Sequence, residues 1–468
     1  MIAKLKFKVN FRQNFCICVK FLVILYVKMC VIMCRVKIRN IGPVKEVEFV
    51  LNRINVITGP QCSGKSTIAK VVCACSWLEK DAVRRQSINH VTRELFEQVL
   101  FAYHQLDKYP KHEDVMVEYD GDALYILYTK DTFDVRMAAG FEQKALGKIA
   151  YLPAERNIAS LENVESFKLP EINIRGYLWD WFIIRTKYTS ANPLELFSLG
   201  IKYYYSKEKG DMLMLSDGEE IPLNAASSGL QSVTPLYACL HYMTSWIYKH
   251  KEDASYEKQA MLEKAIMLRV YRADARERGI DVPESIVESQ LIPGILGTTH
   301  KIAEQIDNSD DVGSVRFSNE FMQKMDELSK QLSEPHYSRI ILEEPEMNLF
   351  PQSQIDLVYD ILQMVDVNRD TLFINTHSPY ILYALNNCML GGLVKDKIDD
   401  EELLEHQDSF IDPKLVSVWE LRDGVFSSKM DNEEKTIQDA EGLIRSNYFD
   451  RVMHNVMADY RNLMNYHD

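Results

Sequence analysis

The sequence has no pair of Cys-x2-Cys knuckles and no Cys/His ladder, so nothing in it carries zinc-ligand spacing. Its nine cysteines are Cys16, Cys18, Cys30, Cys34, Cys62, Cys73, Cys75, Cys239 and Cys388. The odd count argues against a disulfide framework and for free thiols in a reducing cytoplasm. No apolar run is long enough to span a bilayer. The nearest approach lies in MIAKLKFKVNFRQNFCICVKFLVILYVKMC, where the clean apolar core, Phe21 to Val27, is seven residues flanked by Lys20 and Lys28. A small-residue cleavage site is missing too, so residues 1–34 read as an extension ahead of the fold, with no membrane role. An excess of positive charge is also lacking. The net charge of −14 argues against a lysine coat for nucleic acid, while leaving a local basic patch open. There is no internal repeat and no low-complexity tract. With 46% hydrophobic and 26% charged residues the composition is that of a globular protein.

The 468 residues that remain to be explained can bury a large core. RVKIRNIGPVKEVEFVLNRINVITG (35–59) alternates like a β-hairpin with Gly42-Pro43 at its turn, then enters a buried strand, Ile54 to Thr58. A helix is predicted from Ser66 to about Lys80, and further helix over 81–110. MVEYDGDALYILYTKDTFDVRM (116–137) reads as antiparallel strands about Asp120-Gly121. KIAYLPAERN (148–157) is a strand running into a polar turn, and 158–198 is mixed and mainly helical. Residues 201–223 hold two more hairpin signals, at Lys209-Gly210 and Asp217-Gly218. Helical spacing dominates 246–335. Beyond it come a strand (Ile340 to Leu342), a helix (about Ser353 to Val365), a strand (Leu372 to Asn375) and a short helix after Pro379. A strand pair around LRDGVF (421–426) and an amphipathic helix from about Asp439 end the chain.

Three stretches carry chemistry. GPQCSGKS, followed by Thr67, fits G-x-x-x-x-G-K-[ST] between a predicted strand and a predicted helix, the context that gives the pattern meaning. Gly59, Pro60, Gln61, Cys62, Ser63 and Gly64 form the candidate nucleotide-binding loop, whose glycines let backbone N–H groups curl around phosphates at a helix N-terminus. Lys65 supplies a point charge to the β and γ phosphates, and Ser66 offers a hydroxyl to Mg²⁺. In RIILEEPEMNLFP (339–351) an apolar strand ends in two acids. Glu343 is placed to hold Mg²⁺ and Glu344 to orient or deprotonate an attacking water, the alternative being an exposed acidic strand end. In LFINTHSPYIL (372–382) a buried strand delivers His377, a candidate partner for the γ-phosphate or the water, the alternative being a capping histidine.

Taken in order, GPQCSGKST, AASSGLQS, IILEEPEMNLFP and INTHSPYIL resemble the ABC-type ATPases, and within them the branch of RecF/SMC-like and OLD-like proteins. The resemblance implies an α/β fold: a P-loop NTPase ABC-type head with a mixed core sheet flanked by helices, an antiparallel β subdomain and a helical insertion. It divides the chain into the 1–34 extension, a first lobe over 35–245, the insertion over 246–335 and a second lobe over 336–468. It also implies a composite site. ATP with Mg²⁺ lies on one copy's P-loop, and Ser227, Ser228 and Gly229 of another copy close over the γ-phosphate as the signature. Asn348 to Pro351 then belong to the loop that meets the partner. Two departures stand out: Ser228 replaces the first signature glycine, and Glu343 replaces the usual aspartate. The Q-loop glutamine is not evident, and the turn at Glu155–Arg156 is a candidate for that switch region.

A nuclease of the OLD type carries a Toprim domain after the histidine, whose metal site needs a glutamate and an Asp-x-Asp. The C-terminal stretch after His377 is short and has no Asp-x-Asp. The chain therefore resembles stand-alone ATPase subunits of anti-phage systems such as PARIS or Septu, which act as cytoplasmic sensors and scaffolds for a separately encoded effector such as a nuclease. The trigger would be nucleic acid or a phage protein. Two alternatives are a scaffold that binds ATP and hydrolyses it slowly or not at all, and a DNA repair or maintenance ATPase. Arg269, Arg272 and Arg276 share one predicted helix face in the insertion, a possible phosphate or acidic-partner contact balanced by Glu263, Asp274 and Glu277.

Overall fold

Strand β3, Ile54–Thr58, is buried at every position because it has a strand on each edge and a helical layer on each face. The computed structural model describes residues 34–250, 265, 266, 269, 331–398, 405–427, 435–445 and 447–467. Within them β3 pairs in parallel with β13 (Thr371–Asn375) and with β14 (Val416–Arg422). β13 pairs in parallel with β12 (Tyr337–Glu343), and β12 with β7 (Gly147–Leu152). These five parallel strands continue into an antiparallel wing. β15 (Val425–Phe426) turns back from β14 and meets β2 (Val44–Val50), which leads on to β1 (Arg35–Ile41), β4 (Met116–Asp120), β5 (Leu124–Thr129) and β6 (Phe133–Met137). The resulting sheet has 11 strands. A second, four-stranded antiparallel sheet joins β8 (Leu194–Leu196), β9 (Ile201–Ser206), β10 (Gly210–Met214) and β11 (Glu220–Pro222).

Strand alternation divides the interior in two. Ile341, Phe373, Ile57 and Trp419 face α1 (Lys65–Arg85) and the antiparallel wing. Ile340, Leu342, Leu372, Ile374, Ile54 and Val56 face the opposite layer. That layer holds α2 (Asn173–Ile184), α3 (Ser228–His241), α4 (Pro351–Met364) and α5 (Pro379–Val394). The parallel strands all end at one edge, where ligands of α/β folds bind. A parallel core with helices on both faces thus continues into an antiparallel wing, an α/β architecture built on one mixed sheet. Among the described residues no helix is long and apolar enough to cross a membrane, and the cysteines are free thiols.

Several expectations need correction. α1 continues to Arg85, with Arg84 and Arg85 in its last turn where cations favour the helix dipole. The helix after Pro379 is not short. It runs 16 residues, capped by Ser378 and held by buried Ile381, Leu385 and Met389. No helix begins at Asp439. Its carboxylate accepts from the N–H groups of Glu441 and Leu443, and Gly442 turns at φ 84°, so a tight loop forms instead. The helix, α6 (Tyr448–Met464), starts after an Asn447–Asp450 capping box. Cys34, placed in the extension, is buried and bonded to Leu51 N–H. Arg269 is buried, with burial lowering its pKa, and so presents no surface charge. Arg272, Arg276 and nearly all of 251–330 lie outside the described residues, as do 1–33.

Candidate nucleotide-binding site

β3 delivers the loop Gly59–Gly64 to the N-terminus of α1. The loop requires glycine at both ends. Gly59 sits at φ 144° with Leu421 O only 2.2 Å from where a Cβ would lie, and Gly64 at φ 107° with Val44 Cγ2 at 2.7 Å. Cys62 also takes a left-handed conformation, at φ 58°. Lys65 folds back across the loop, its Nζ donating to Gly59 O at 2.9 Å and Pro60 O at 2.7 Å. Burial pushes this ammonium down to about 8, against the attraction of Glu344 and Glu346. Ser66, one residue on, is exposed, while Thr67 is buried.

Alternation along β12 puts Glu343 on the same face as Ile341, the face packed against α1. Its carboxyl is buried, and burial raises its pKa although Lys70 and the Ser66 hydroxyl oppose this. Oε1 has no hydrogen-bond partner in the protein. A buried carboxylate with a lone oxygen beside a serine hydroxyl suits Mg²⁺, which takes hard oxygen ligands and uses few protein groups alongside phosphate and water. Among the described residues no group of three or more His, Cys, Asp and Glu suited to a metal ion is found.

Glu344 follows the strand with φ at 43°, a conformation that costs a non-glycine residue on the order of 1 kcal/mol or more. Its N–H still donates to Asn375 O at 2.9 Å. Its Oε1 lies 3.5 Å from His377 Nε2. The hydrogen bond to His377 is the main reason its pKa is lowered, with Lys65 and Arg156 adding to it. Glu344 is thus an ionised, half-exposed carboxylate at the mouth of the loop, paired with the histidine.

Two residues fix this arrangement. Glu346 Oε1 accepts from the His377 N–H at 2.5 Å and from Thr376 Oγ1 at 3.0 Å, clamping the segment that carries the histidine. Arg156, fully buried after β7, donates to Glu343 O at 2.8 Å, Glu344 O at 2.7 Å, Pro345 O at 3.2 Å and Ser232 O at 3.3 Å. Glu346 had no assigned role in the sequence, although the run EEPE held a third acid. The Glu155–Arg156 turn, a candidate switch region, lies at the site through its arginine.

The stretch expected to be the signature, Ser227–Gly229, sits elsewhere. Ser227 caps α3, its Oγ accepting from Leu230 N at 3.4 Å, and both Ser227 and Ser228 are exposed. Gly229 lies against Asn348, where a Cβ would come within 2.9 Å of the carbonyl oxygen. Asn348, at φ 62°, also donates from Nδ2 to Ser232 Oγ at 2.9 Å. Ser227–Gly229 share no hydrogen bond with residues 59–67 among the described residues. The P-loop, the acid pair and His377 converge. The signature is bound instead to the loop that follows the acids, with Phe350 beside it 76% exposed.

No family model and no curated protein matches the chain. Among solved structures it is similar to the SMC head domain from Thermotoga maritima, at 8% identity over 75% of this chain and 91% of that one, with a TM-score of 0.31. An ATP-binding cassette of an ABC transporter in its ADP conformation is similar at 10% identity over 86% and 92%, TM-score 0.27. The recombination mediator RecF gives 9% identity over 84% and 98%, TM-score 0.26. Such distant likenesses carry no residue-level information.

Proposed function

We propose that the chain binds Mg-ATP on the Gly59–Ser66 loop and hydrolyses it with Glu344 as the base. The observation that carries this reading is the convergence, at the ends of three parallel strands, of Lys65, the lone buried oxygen of Glu343 and the Glu344–His377 pair. Lys65 exchanges its bonds to Gly59 O and Pro60 O for phosphate oxygens. The helix N-terminus presents N–H groups to the same oxygens. Ser66 and Glu343 would hold a Mg²⁺ ion, which when bound would supply charge neutralisation at the phosphates. Glu344, kept ionised, accepts a proton from the attacking water while His377 orients its carboxylate.

A second copy completes the site with Ser227, Ser228 and Gly229. The support is that Ser227 and Ser228 are exposed at a helix N-terminus and Gly229 lies against the Asn348 loop, with an exposed aromatic, Phe350, as a candidate anchor. The two serine hydroxyls and the helix N-terminus suit a γ-phosphate. The nucleotide state would then control a separately encoded effector, such as a nuclease, in anti-phage defence. This last step is supported only by the resemblance of the ordered motifs to such ATPase subunits and by the helical spacing of 246–335.

Phosphate release by the wild type and by Glu344→Gln tests the hydrolytic reading. Turnover in the wild type that Glu344→Gln lowers at least about a hundredfold, with ATP still bound, supports it. Equal, near-zero rates in both would assign a nucleotide-dependent scaffold instead. Copurification with the products of adjacent genes tests the effector. A lone chain with constitutive turnover would remove the defence role.

A further inference from the structure

Beyond the nucleotide site, α6 carries a face that nothing described in the chain covers. The helix is 17 residues long, and none of its side chains is buried. Only its first turn is fastened. Asn447 caps it, Arg451 pairs with Glu420, the Arg422 guanidinium lies 5.3 Å over the Tyr448 ring, and Tyr383 Oη donates to Asp450 at 3.0 Å. The later turns project from this root. Along them Met453, Val456, Tyr460 and Leu463 recur at spacings of three, four and three, the rhythm of a helix-pairing seam. Val452 and Met457 widen it. Met453 is 61% and Leu463 70% exposed. A polar remainder of His454, Asn455, Asp459, Arg461 and Asn462 occupies the other side.

A helix of this length is marginal alone in water and takes its stability from a partner on its apolar face. A polar helix would need none, but this one exposes six large apolar side chains in one stripe, beyond the scattered apolar residues of an ordinary surface.

We infer that α6 is a self-association element, pairing antiparallel with α6 of a second copy of this chain. The sequence is self-complementary in that direction. With the two-fold axis between Val456 and Met457, Met453 lies opposite Tyr460 at both ends of the pair, a sulfur–aromatic contact made twice. The stripe offers on the order of 700 Å² per copy, close to the share that one partner brings to a standard-size interface. The contact needs no nucleotide and does not involve the P-loop or the signature, so it is separable from the closure proposed above.

Sedimentation of the full, nucleotide-free chain at micromolar concentration tests it. The wild type is expected at twice the chain mass, and the pair of substitutions Tyr460→Glu and Leu463→Glu at half that value, with ATP binding unchanged. Both positions are exposed, so the substitutions leave the folded core intact. A wild type that sediments as one chain, or a dimer that survives both substitutions, overturns the inference. Direction is read by mixing Met453→Cys with Tyr460→Cys under oxidation and mapping the disulfide. An interchain 453–460 link supports the antiparallel pair. A 453–453 link formed by the first variant alone, with no 453–460 link in the mixture, refutes it.

Discussion

The Arg156 guanidinium is bonded to the main-chain oxygen of Glu344 at 2.7 Å, and so holds the backbone of the acid whose side chain faces His377. Because it also reaches Ser232 O on α3, one buried cation links the end of β12 to the helix that bears Ser228 and Gly229. A nucleotide-dependent shift of the acid loop would therefore reach the signature helix through Arg156.

Removing that cation leaves several buried carbonyls without a donor. Arg156→Ala is expected to lower stability by about 3 kcal/mol. Arg156→Lys keeps the charge but loses the fork, and should recover only part of this. Urea unfolding followed by circular dichroism measures both, and a loss below about 1 kcal/mol in the alanine variant would show that water replaces the guanidinium.

Lys65 gives a pH signature. Its folded pKa, about 8, lies below that of an unfolded lysine, so between pH 8 and the usual lysine range the unfolded chain binds more protons. Stability of the nucleotide-free protein should therefore rise with pH through this window, and Lys65→Met should rise less. Phosphate oxygens draw the pKa back up, so ATP binding near pH 8 should take up a proton. Calorimetry in buffers of different ionisation enthalpy measures the uptake. Lys80 is depressed to about 8 as well, so the difference between wild type and variant is the informative quantity.

The Glu344–His377 contact sets the acid limb of hydrolysis. His377 holds the Glu344 pKa below its ordinary value, so the base stays ionised to lower pH. In His377→Ala the carboxyl returns toward the usual range, and the acid limb of kcat should move to higher pH while the maximal rate falls. A pH–rate profile that falls uniformly, with no shift of the limb, would show that His377 acts on the phosphate alone.

Ser228→Arg should leave ATP binding intact and block nucleotide-driven closure. The cleanest background carries Tyr460→Glu and Leu463→Glu, so that α6 does not contribute to association. In that background Glu344→Gln with ATP is expected to sediment as a dimer, and addition of Ser228→Arg to return it to one chain. A dimer that persists would remove the signature role from Ser228.

The motifs were legible because each is local: a strand, a glycine-bracketed loop and a helix for Gly59–Ser66, and an apolar run with acids at its end for Glu343 and Glu344. The hairpins were legible because Asp-Gly and Lys-Gly mark turns between alternating strands. The turn at Glu155–Arg156 was singled out, but what Arg156 holds was not legible, since its partners are main-chain oxygens 187 and 188 residues away, which no side-chain pattern records. Glu346 was hidden for a related reason: it binds a backbone N–H beyond β12. The start of α6 was misplaced because Asp439 is a good cap whose N–H partners belong to a loop, while Asn447 carries the box. The strand order was not legible either, as β3 joins segments from opposite ends of the chain.

That joining has a consequence for biosynthesis. Asn55 Nδ2 is bonded to Leu372 O, 317 residues further along, and β14 on the other edge is later still. At about 5–20 residues per second, the ribosome takes on the order of tens of seconds to supply either neighbour. During that time a strand destined for full burial, with both edges unpaired, waits as a template for wrong pairing. The P-loop is therefore among the first parts of the chain to emerge and among the last to gain its structure. Yield of active protein should depend on translation speed and on holdase chaperones more than on the stability of the finished fold.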